Sequence, residues 1–391
     1  MTSFALYRFP YGKQVTLVAQ NDGVPQAVLP FYDFSRVKGF VIAPFDCMVT
    51  GEAKQGSEEG TAALIRPDVA RLFDTAEDAV AAVRGICGSQ AGCVCSPTST
   101  ATDDMTVEEE REAYAHDFQR FHEKIADGSF SKLVLSRCHC VKAARPQDPT
   151  AVLSRGLNAF VKASTNYPRV FVALVCTPQS GLWLAATPEV LLESTTPNSW
   201  HTMALAGTMR AADMVQALDD NDSDVHRLWS EKNIEEQRYV ATYIARCLAR
   251  FTTDIYEDGP RTVRAAHLLH LRSDFTFTLD DGSKVGQLIG ELHPTPAVCG
   301  IPKEDAFRFI VGKEHTPRLY YSGFMGPVNM CAEGTEPTTH LYVSLRCMQL
   351  TQSGFRLYAG GGLLKESDEE QEWQETEAKM ETMRSLIQEA Q

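Results

Sequence analysis

Three consecutive glycines at positions 360–362 join an apolar strand-like stretch to a long acidic run. This junction near the C-terminus restricts the fold more than any other part of the chain. Phe355, Leu357 and Ala359 alternate as one face of a strand that runs into the glycines, and a loop and a helix follow. Ser367 with Glu370 three residues later has capping-box spacing, which predicts that the helix begins there. Glu372, Glu375 and Lys379 fall at i, i+3 and i+7 on one helical face, while Trp373, Met380, Met383 and Ile387 form an apolar stripe beside it. Carboxylates at the margin of a buried stripe suit a hard cation, and Mg²⁺ takes one or two carboxylates together with water and substrate oxygens. Glycines let backbone N–H groups come close to an anion. The plainer alternative is a solvated acidic helix carrying a Glu375–Lys379 pair, preceded by a flexible glycine turn.

Upstream, residues 107–127 carry Tyr114, Phe118, Phe121 and Ile125 at helical spacing. Residues 130–142 read as a strand with Lys132, Val134 and Ser136 on one face and Leu133, Leu135 and Val141 on the other. Lys132 is either a surface residue that snorkels or a desolvated lysine pushed towards the neutral form that can accept a proton. Residues 170–176 are a continuous apolar run and predict a buried strand. Thr187-Pro188-Glu189 interrupts two apolar runs, so Glu189 is either exposed on a proline turn or held in an apolar setting that raises its pKa and lets it donate a proton. Gly207-Thr208 closes another strand.

Residues 224–251 predict a helix with Trp229, Val240, Ile244, Cys247 and Phe251 as its apolar stripe. Glu236 falls near the middle of that stripe, so it requires a buried cation, either a basic side chain or a metal. His270 sits at a strand or helix end. Residues 292–302 hold three prolines and a glycine and predict a rigid loop. Residues 320–326 and 340–347 predict strands, with Arg346 opposite Leu341, Val343 and Leu345, and a hairpin turn at 351–354 leads back to the glycines.

Composition narrows the function. With 391 residues, 43% of them apolar, the chain can bury a large core, and a net charge of −14 argues against a general nucleic-acid or anionic-membrane surface. It leaves room for a small basic pocket. No signal-like N-terminus and no apolar run near ~20 residues is present. The eleven cysteines include Cys93/Cys95 and Cys138/Cys140 one residue apart, not at zinc-site spacing, and read as reduced thiols of a cytoplasmic protein. Residues 1–100 say little: 39–44 predict a strand, 75–86 a helix, and 96–104 a Ser/Thr-rich loop.

The order of these pieces resembles the chorismate-utilising enzymes, and within them the isochorismate-forming branch. The most specific blocks are Ser131–Arg137, Ala186–Leu192, Leu205–Arg210, Lys232–Gln237, His293–Gly300, Ser344–Cys347 and Ala359–Lys379. The resemblance implies an α/β (α+β) fold of two stacked antiparallel sheets with outer helices. It implies one chorismate-binding domain over residues 1–391, with a variable part at 1–100 and a catalytic core at 115–388. It also implies a Mg²⁺-dependent pocket, a monomer, and no obligatory glutaminase subunit. By the same resemblance Lys132 is the base that activates water and Glu189 the acid that protonates the leaving hydroxyl. Glu236 and Glu375 are direct Mg²⁺ ligands, with Glu372 acting through metal-bound water. His270, Arg346, Ala297 and Tyr321 line the pocket, and Gly207, Thr208, Gly360, Gly361, Gly362 and Lys379 hold substrate carboxylates.

The chain departs from the family in one block. The usual Lys-Asp-x-x-Glu-His is here Lys232-Asn233-Ile234-Glu235-Glu236-Gln237, so Glu236 has lost a neighbouring carboxylate and imidazole. Lys132 favours attack by water over ammonia from a glutaminase partner, as in anthranilate or aminodeoxychorismate synthase. It does not separate isochorismate from salicylate formation. Ala297 leans towards plain isochorismate, whereas a hydroxyl at Tyr321 favours pyruvate loss. A non-catalytic dicarboxylate-binding relative and a purely structural acidic protein are the readings from other classes.

Overall fold

The computed structural model describes residues 2–28, 34, 36–47, 61–87, 105–194, 196, 198–210, 229–265, 268–331 and 336–387. Strands come first along the chain: β1 (Ser3–Arg8), β2 (Val15–Gln20), β3 (Gln26–Val28), β4 (Gly39–Ala43), β5 (Ala62–Ile65) and β6 (Val69–Phe73). Helices α1 (Ala76–Cys87) and α2 (Val107–Ala126) lead to β7 (Lys132–Lys142) and α3 (Pro149–Asn166). Next come β8 (Phe171–Thr177), β9 (Gly181–Thr187), β10 (Val190–Ser194) and β11 (Ser199–Arg210). Helix α4 (Glu231–Leu248) precedes β12 (Ile255–Ala265) and β13 (Leu268–Thr278). The remainder is α5 (Val285–Leu292), β14 (Gly300–Ile301), α6 (Lys303–Lys313), β15 (Phe324–Val328), β16 (His340–Val343), β17 (Cys347–Thr351), β18 (Gly354–Leu363) and α7 (Glu369–Ile387).

The strands form two sheets, ordered β14-β7-β18-β17-β9-β8-β1-β2-β6 and β12-β13-β11-β10-β16-β15-β4-β5-β3. Every strand pair is antiparallel. The two sheets face each other across Tyr7, Phe40, Phe171, Trp183, Met325, Tyr342 and Tyr358. Helices α1, α3 and α7 cover the outside of the first sheet, and α4 and α5 the outside of the second. This sandwich explains why residues 171–176 are apolar without alternation: Phe171, Ala173 and Val175 face the other sheet, while Val172, Leu174 and Cys176 face the helices. Residues from the N-terminal hundred supply strands to both sheets.

Several local expectations need correction. The three glycines are not a loop. They lie inside β18, paired with Ser136, Leu135 and Val134 of β7. Ser367 does not cap α7; Asp368 does, accepting from Gln371 N at 3.0 Å, and Ser367 turns inward instead. Helix α4 begins at Glu231 behind the cap Ser230, so Trp229 lies outside it and packs on Leu269 and Leu271. Arg346 sits in the turn between β16 and β17 with φ 46°, not on a strand face. The expected loop at 96–104 and residues 224–228 of the expected helix fall outside the described residues. Expected elements at 107–127, 130–142, 170–176 and the 351–354 hairpin match within a few residues.

No described helix is long and apolar enough to cross a membrane. Among the described residues Cys47, Cys138, Cys247, Cys299, Cys331 and Cys347 are free thiols; Cys93 and Cys95 are outside the described residues.

Candidate active site

A cavity opens where the glycine segment of β18 faces the end of β11 and helix α4. Its wall includes Glu189, Gly207, Thr208, Glu236, His270, Ala297, Tyr321, Arg346, Gly360, Gly362 and Lys379. Residues expected from six of the seven sequence blocks, together with His270 and Tyr321, therefore meet in one place. Lys132, Gly361, Glu372 and Glu375 do not form its wall but reach it through neighbours. A larger apolar groove of about 490 Å³, lined by Arg238, Ala241 and Ala245 of α4, carries none of the expected site residues.

The glycines are required by close packing. A Cβ at Gly362 would collide with Glu236 Oε1 and stand 2.8 Å from Lys132 Cε. One at Gly361 would meet Glu372 Oε2 at 2.8 Å, and one at Gly360 the Tyr321 hydroxyl at the same distance. Successive residues of a strand face opposite sides, so Gly362 admits Glu236 and Lys132 on the inner face while Gly361 admits α7 on the outer.

Each carboxylate expected to hold metal is paired with its own lysine. Lys132 Nζ lies 3.0 Å from Glu236 Oε1, Lys379 Nζ lies 2.6 Å from Glu375 Oε1, and Lys232 Nζ bonds Glu372 Oε1. Burial alone would raise Glu236, but Lys132, Lys379 and Lys232 outweigh it and hold its carboxyl below the ordinary range. Glu372 goes the other way, up to about 7, because it is buried and because Glu375 repels its charge, with Lys232 only partly compensating. Ser367 donates to Glu372 Oε1 at 2.8 Å. Glu372 Oε2 is buried and finds no partner among the described residues. A hard divalent cation would resolve both the repulsion and the orphan oxygen, so this all-oxygen set fits Mg²⁺. Among the described residues no three His, Cys, Asp or Glu side chains form a ready-made metal site; each of the three carboxylates is turned to its own lysine.

Glu189 follows Pro188 in the turn between β9 and β10, anchored by Val343 N donating to its carbonyl at 3.0 Å. Burial lifts its carboxyl to about 8, against the opposing pull of Lys132, Arg346 and Lys379, so it carries a proton at neutral pH. The apolar-setting reading of this residue holds, and the exposed-turn reading fails: Glu189 is 2% exposed. Lys132 is likewise fully buried rather than a surface residue.

Arg346 and His270 are joined. Arg346 Nη2 lies 3.0 Å from His270 Nε2, and His270 Nδ1 lies 2.9 Å from the Gly207 carbonyl. Arginine only donates and a carbonyl only accepts, so the imidazole is neutral with its proton on Nδ1. Gly207 adopts φ 67° at a bulge in β11, which turns its carbonyl towards His270. Burial lowers the Arg346 guanidinium to about 10, leaving it charged and facing the cavity. Lys379 also donates to the Gly360 carbonyl at 2.8 Å, which ties α7 to β18.

Sequence reasoning noted Gln237 only as a departure. Its amide is buried and well used: Oε1 accepts from Ala206 N at 3.0 Å, and Nε2 reaches Ala204 O and Ser273 Oγ, each at 3.2 Å. It fastens α4 to β11 and β13 one residue beyond Glu236. Lys232 is legible in the sequence only by its i, i+4 spacing to Glu236, which does not show that its partner is Glu372 on α7.

A family model for chorismate binding enzymes matches residues 68–388. Isochorismate synthase DhbC of Bacillus subtilis (strain 168) is 31% identical over 277 residues, covering 70% of this chain and 67% of the relative. Isochorismate synthase MenF of Escherichia coli (strain K12) is 30% identical over 271 residues, covering 68% of this chain and 57% of the relative. The aligned part thus spans between about half and two thirds of these relatives' own lengths. The crystal structure of DhbC from Bacillus anthracis superposes with a TM-score of 0.71 at 23% identity, covering 98% of this chain and 96% of that one, which shows a shared fold.

Proposed function

The chain belongs to the chorismate binding enzyme family, and from that premise we propose that it is an isochorismate synthase: an isomerase that adds water to C2 of chorismate as the C4 hydroxyl departs. The observation that carries this reading is the protonated, buried Glu189 in the wall of a cavity shared with Arg346 and Lys379, within the electrostatic reach of buried Lys132. The names of the relatives agree with it.

The chemistry follows from the side chains. Lys132 must first give up its ion-pair proton; in its neutral form it takes a proton from the attacking water, whose oxygen bonds to C2; the ring double bonds shift; and the C4–O bond breaks as Glu189 delivers its proton, releasing water. One water enters and one leaves, so the product is an isomer of the substrate. Acid and base sit on different strands, which suits a displacement with entering and leaving groups at separate ring carbons. A Glu at about 8 is matched to proton donation near neutral pH. Arg346, with Lys379 and the backbone of the glycine strand, holds one substrate carboxylate, and His270 fixes the guanidinium plane. Glu236, Glu375 and Glu372 would hold Mg²⁺, whose charge would neutralise the second carboxylate. In this reading the enzyme acts alone, without a glutaminase, as a cytoplasmic monomer, and its product feeds menaquinone or siderophore assembly.

The test is incubation of the purified protein with chorismate and Mg²⁺, with resolved products and an EDTA control. Isochorismate that disappears with EDTA supports the reading. Salicylate with pyruvate moves the assignment to the lyase sibling, and no turnover even with added ammonia points to a dicarboxylate-binding relative.

A further inference from the structure

Of the three lysines that hold the acidic cluster, Lys132 and Lys379 already have roles in the chemistry above; Lys232 has none. It sits on α4 one turn before Glu236 and reaches across to α7, where its ammonium bonds Glu372 Oε1. Its side chain is 23% exposed, whereas that of Glu372 is 1% exposed. Glu372, Glu236 and Glu375 all act on its charge. Lys232 is thus a cation on a flexible stem within the field of all three carboxylates, linking the two helices that carry them. The Glu372 carboxylate is divided: Oε1 is taken by Lys232 and Ser367, while Oε2 is buried without a partner among the described residues.

We propose that Lys232 is a built-in competitor of the divalent cation: its ammonium holds α4 to α7 through Glu372 when no metal is bound, and must give up that position for the metal to take it. This rests on the metal reading above. A divalent ion on Glu372 and the Lys232 ammonium bonded to the same carboxylate repel each other strongly at such range. The metal-bound form therefore replaces one cross-link between α4 and α7 with another. Two consequences follow by linkage. Removing the Lys232 charge tightens metal binding, because nothing has to be displaced, and it loosens the metal-free protein, because the helices lose their link.

The experiment is calorimetric titration of the full chain with MgCl₂ in the absence of substrate, with thermal melts in EDTA and in Mg²⁺. Lys232→Met keeps the stem and removes the charge. It is expected to bind Mg²⁺ about tenfold or more tightly than the wild type, to melt lower in EDTA, and to gain more in Tm from Mg²⁺. Lys232→Arg, which keeps the charge, stays near the wild type. Should Lys232→Met fail to fold, Lys232→Gln, which keeps a donor to Glu372 without the charge, gives the same order. Equal or weaker Mg²⁺ binding by the uncharged variants overturns the proposal and leaves the metal reading intact. If neither wild type nor variant titrates with Mg²⁺, both fall, whether or not chorismate is turned over.

Discussion

Lys132 Nζ lies 3.0 Å from Glu236 Oε1, and the two side chains, 0% and 12% exposed, rest against a strand position, Gly362, where an added Cβ would touch both. Base and ligand are held together as an ion pair shut off from water. Such a pair is costly to break from one side and inexpensive to replace as a whole. Lys132→Ala should therefore lower turnover by ~10²-fold or more and also lose about 3 kcal/mol of stability, because Glu236 is left buried and unpaired. Lys132→Met with Glu236→Met should recover most of that stability in urea denaturation while staying inactive. A single variant as stable as the wild type would show that the pair is not buried in solution.

Gly362→Ala tests the packing. The added methyl meets the Glu236 carboxylate and Lys132 Cε, both ends of flexible side chains, so the fold survives at a cost of about 1–3 kcal/mol. The displaced carboxylate should reduce turnover by roughly 10²-fold and weaken Mg²⁺ binding. Gly85 and Gly312, where a Cβ meets nothing within 4 Å, serve as controls; alanine there should stabilise slightly. Steady-state kinetics beside thermal melts separate the two outcomes.

Glu189 sets an alkaline limit. Its folded pKa of about 8 is raised from 4.5, so the stability it contributes is fully present below 4.5 and is lost as pH rises through about 8. Activity needs the same proton. kcat should fall as pH passes about 8, and Glu189→Gln should lose ~10²–10⁴-fold in kcat with no such limb in its residual rate. The variant should be at least as stable as the wild type at alkaline pH, since the amide has no proton to lose.

A second titrating centre lies away from the cavity. His201 Nδ1 is 2.9 Å from Glu193 Oε1, and Nε2 is 2.6 Å from Asp274 Oδ1. Both acceptors are carboxylates, so the ring carries two protons. His340 also bonds Glu193, while Arg261 and Arg272 bond Asp274. Burial works against the imidazolium, but the two carboxylates outweigh it and raise His201 above 6.5. Its contribution is fully present below 6.5 and is lost as pH rises through the folded value. His201→Asn should cost about 1–3 kcal/mol near neutral pH, and the gap to the wild type should shrink at alkaline pH in urea melts read across the range.

Gln237→Ala removes three hydrogen bonds to Ala206, Ala204 and Ser273. It should cost about 1–3 kcal/mol, and Mg²⁺ affinity should drop because Glu236 is the next residue on the helix. Gln237→Glu, which cannot donate to Ala204 O, should behave similarly in calorimetric titration.

Local periodicity in the chain is enough to place the candidate residues on their strands and helices. Lys132 and Val134 alternate on one strand, Glu236 faces inward on a helix whose stripe includes Val240 and Ile244, and Glu372, Glu375 and Lys379 share a helical face; these are local periodicities, readable from spacing alone. The separated blocks were joined by their order along the chain, which resembles a family rather than following from any spacing. The pairing across elements exists only in the folded chain. The glycines became a strand because β7 lies beside them, with Leu133 and Leu135 turned to the opposite face. Asp368 took the cap because Ser367 was needed at Glu372, and Lys232 joined α4 to α7. The glycine strand and the α4–α7 link depend on contacts between residues more than a hundred positions apart, such as Lys232 with Glu372. Burial, which raises Glu189 and holds Glu236 against its lysines, exists only once the two sheets have closed over the site.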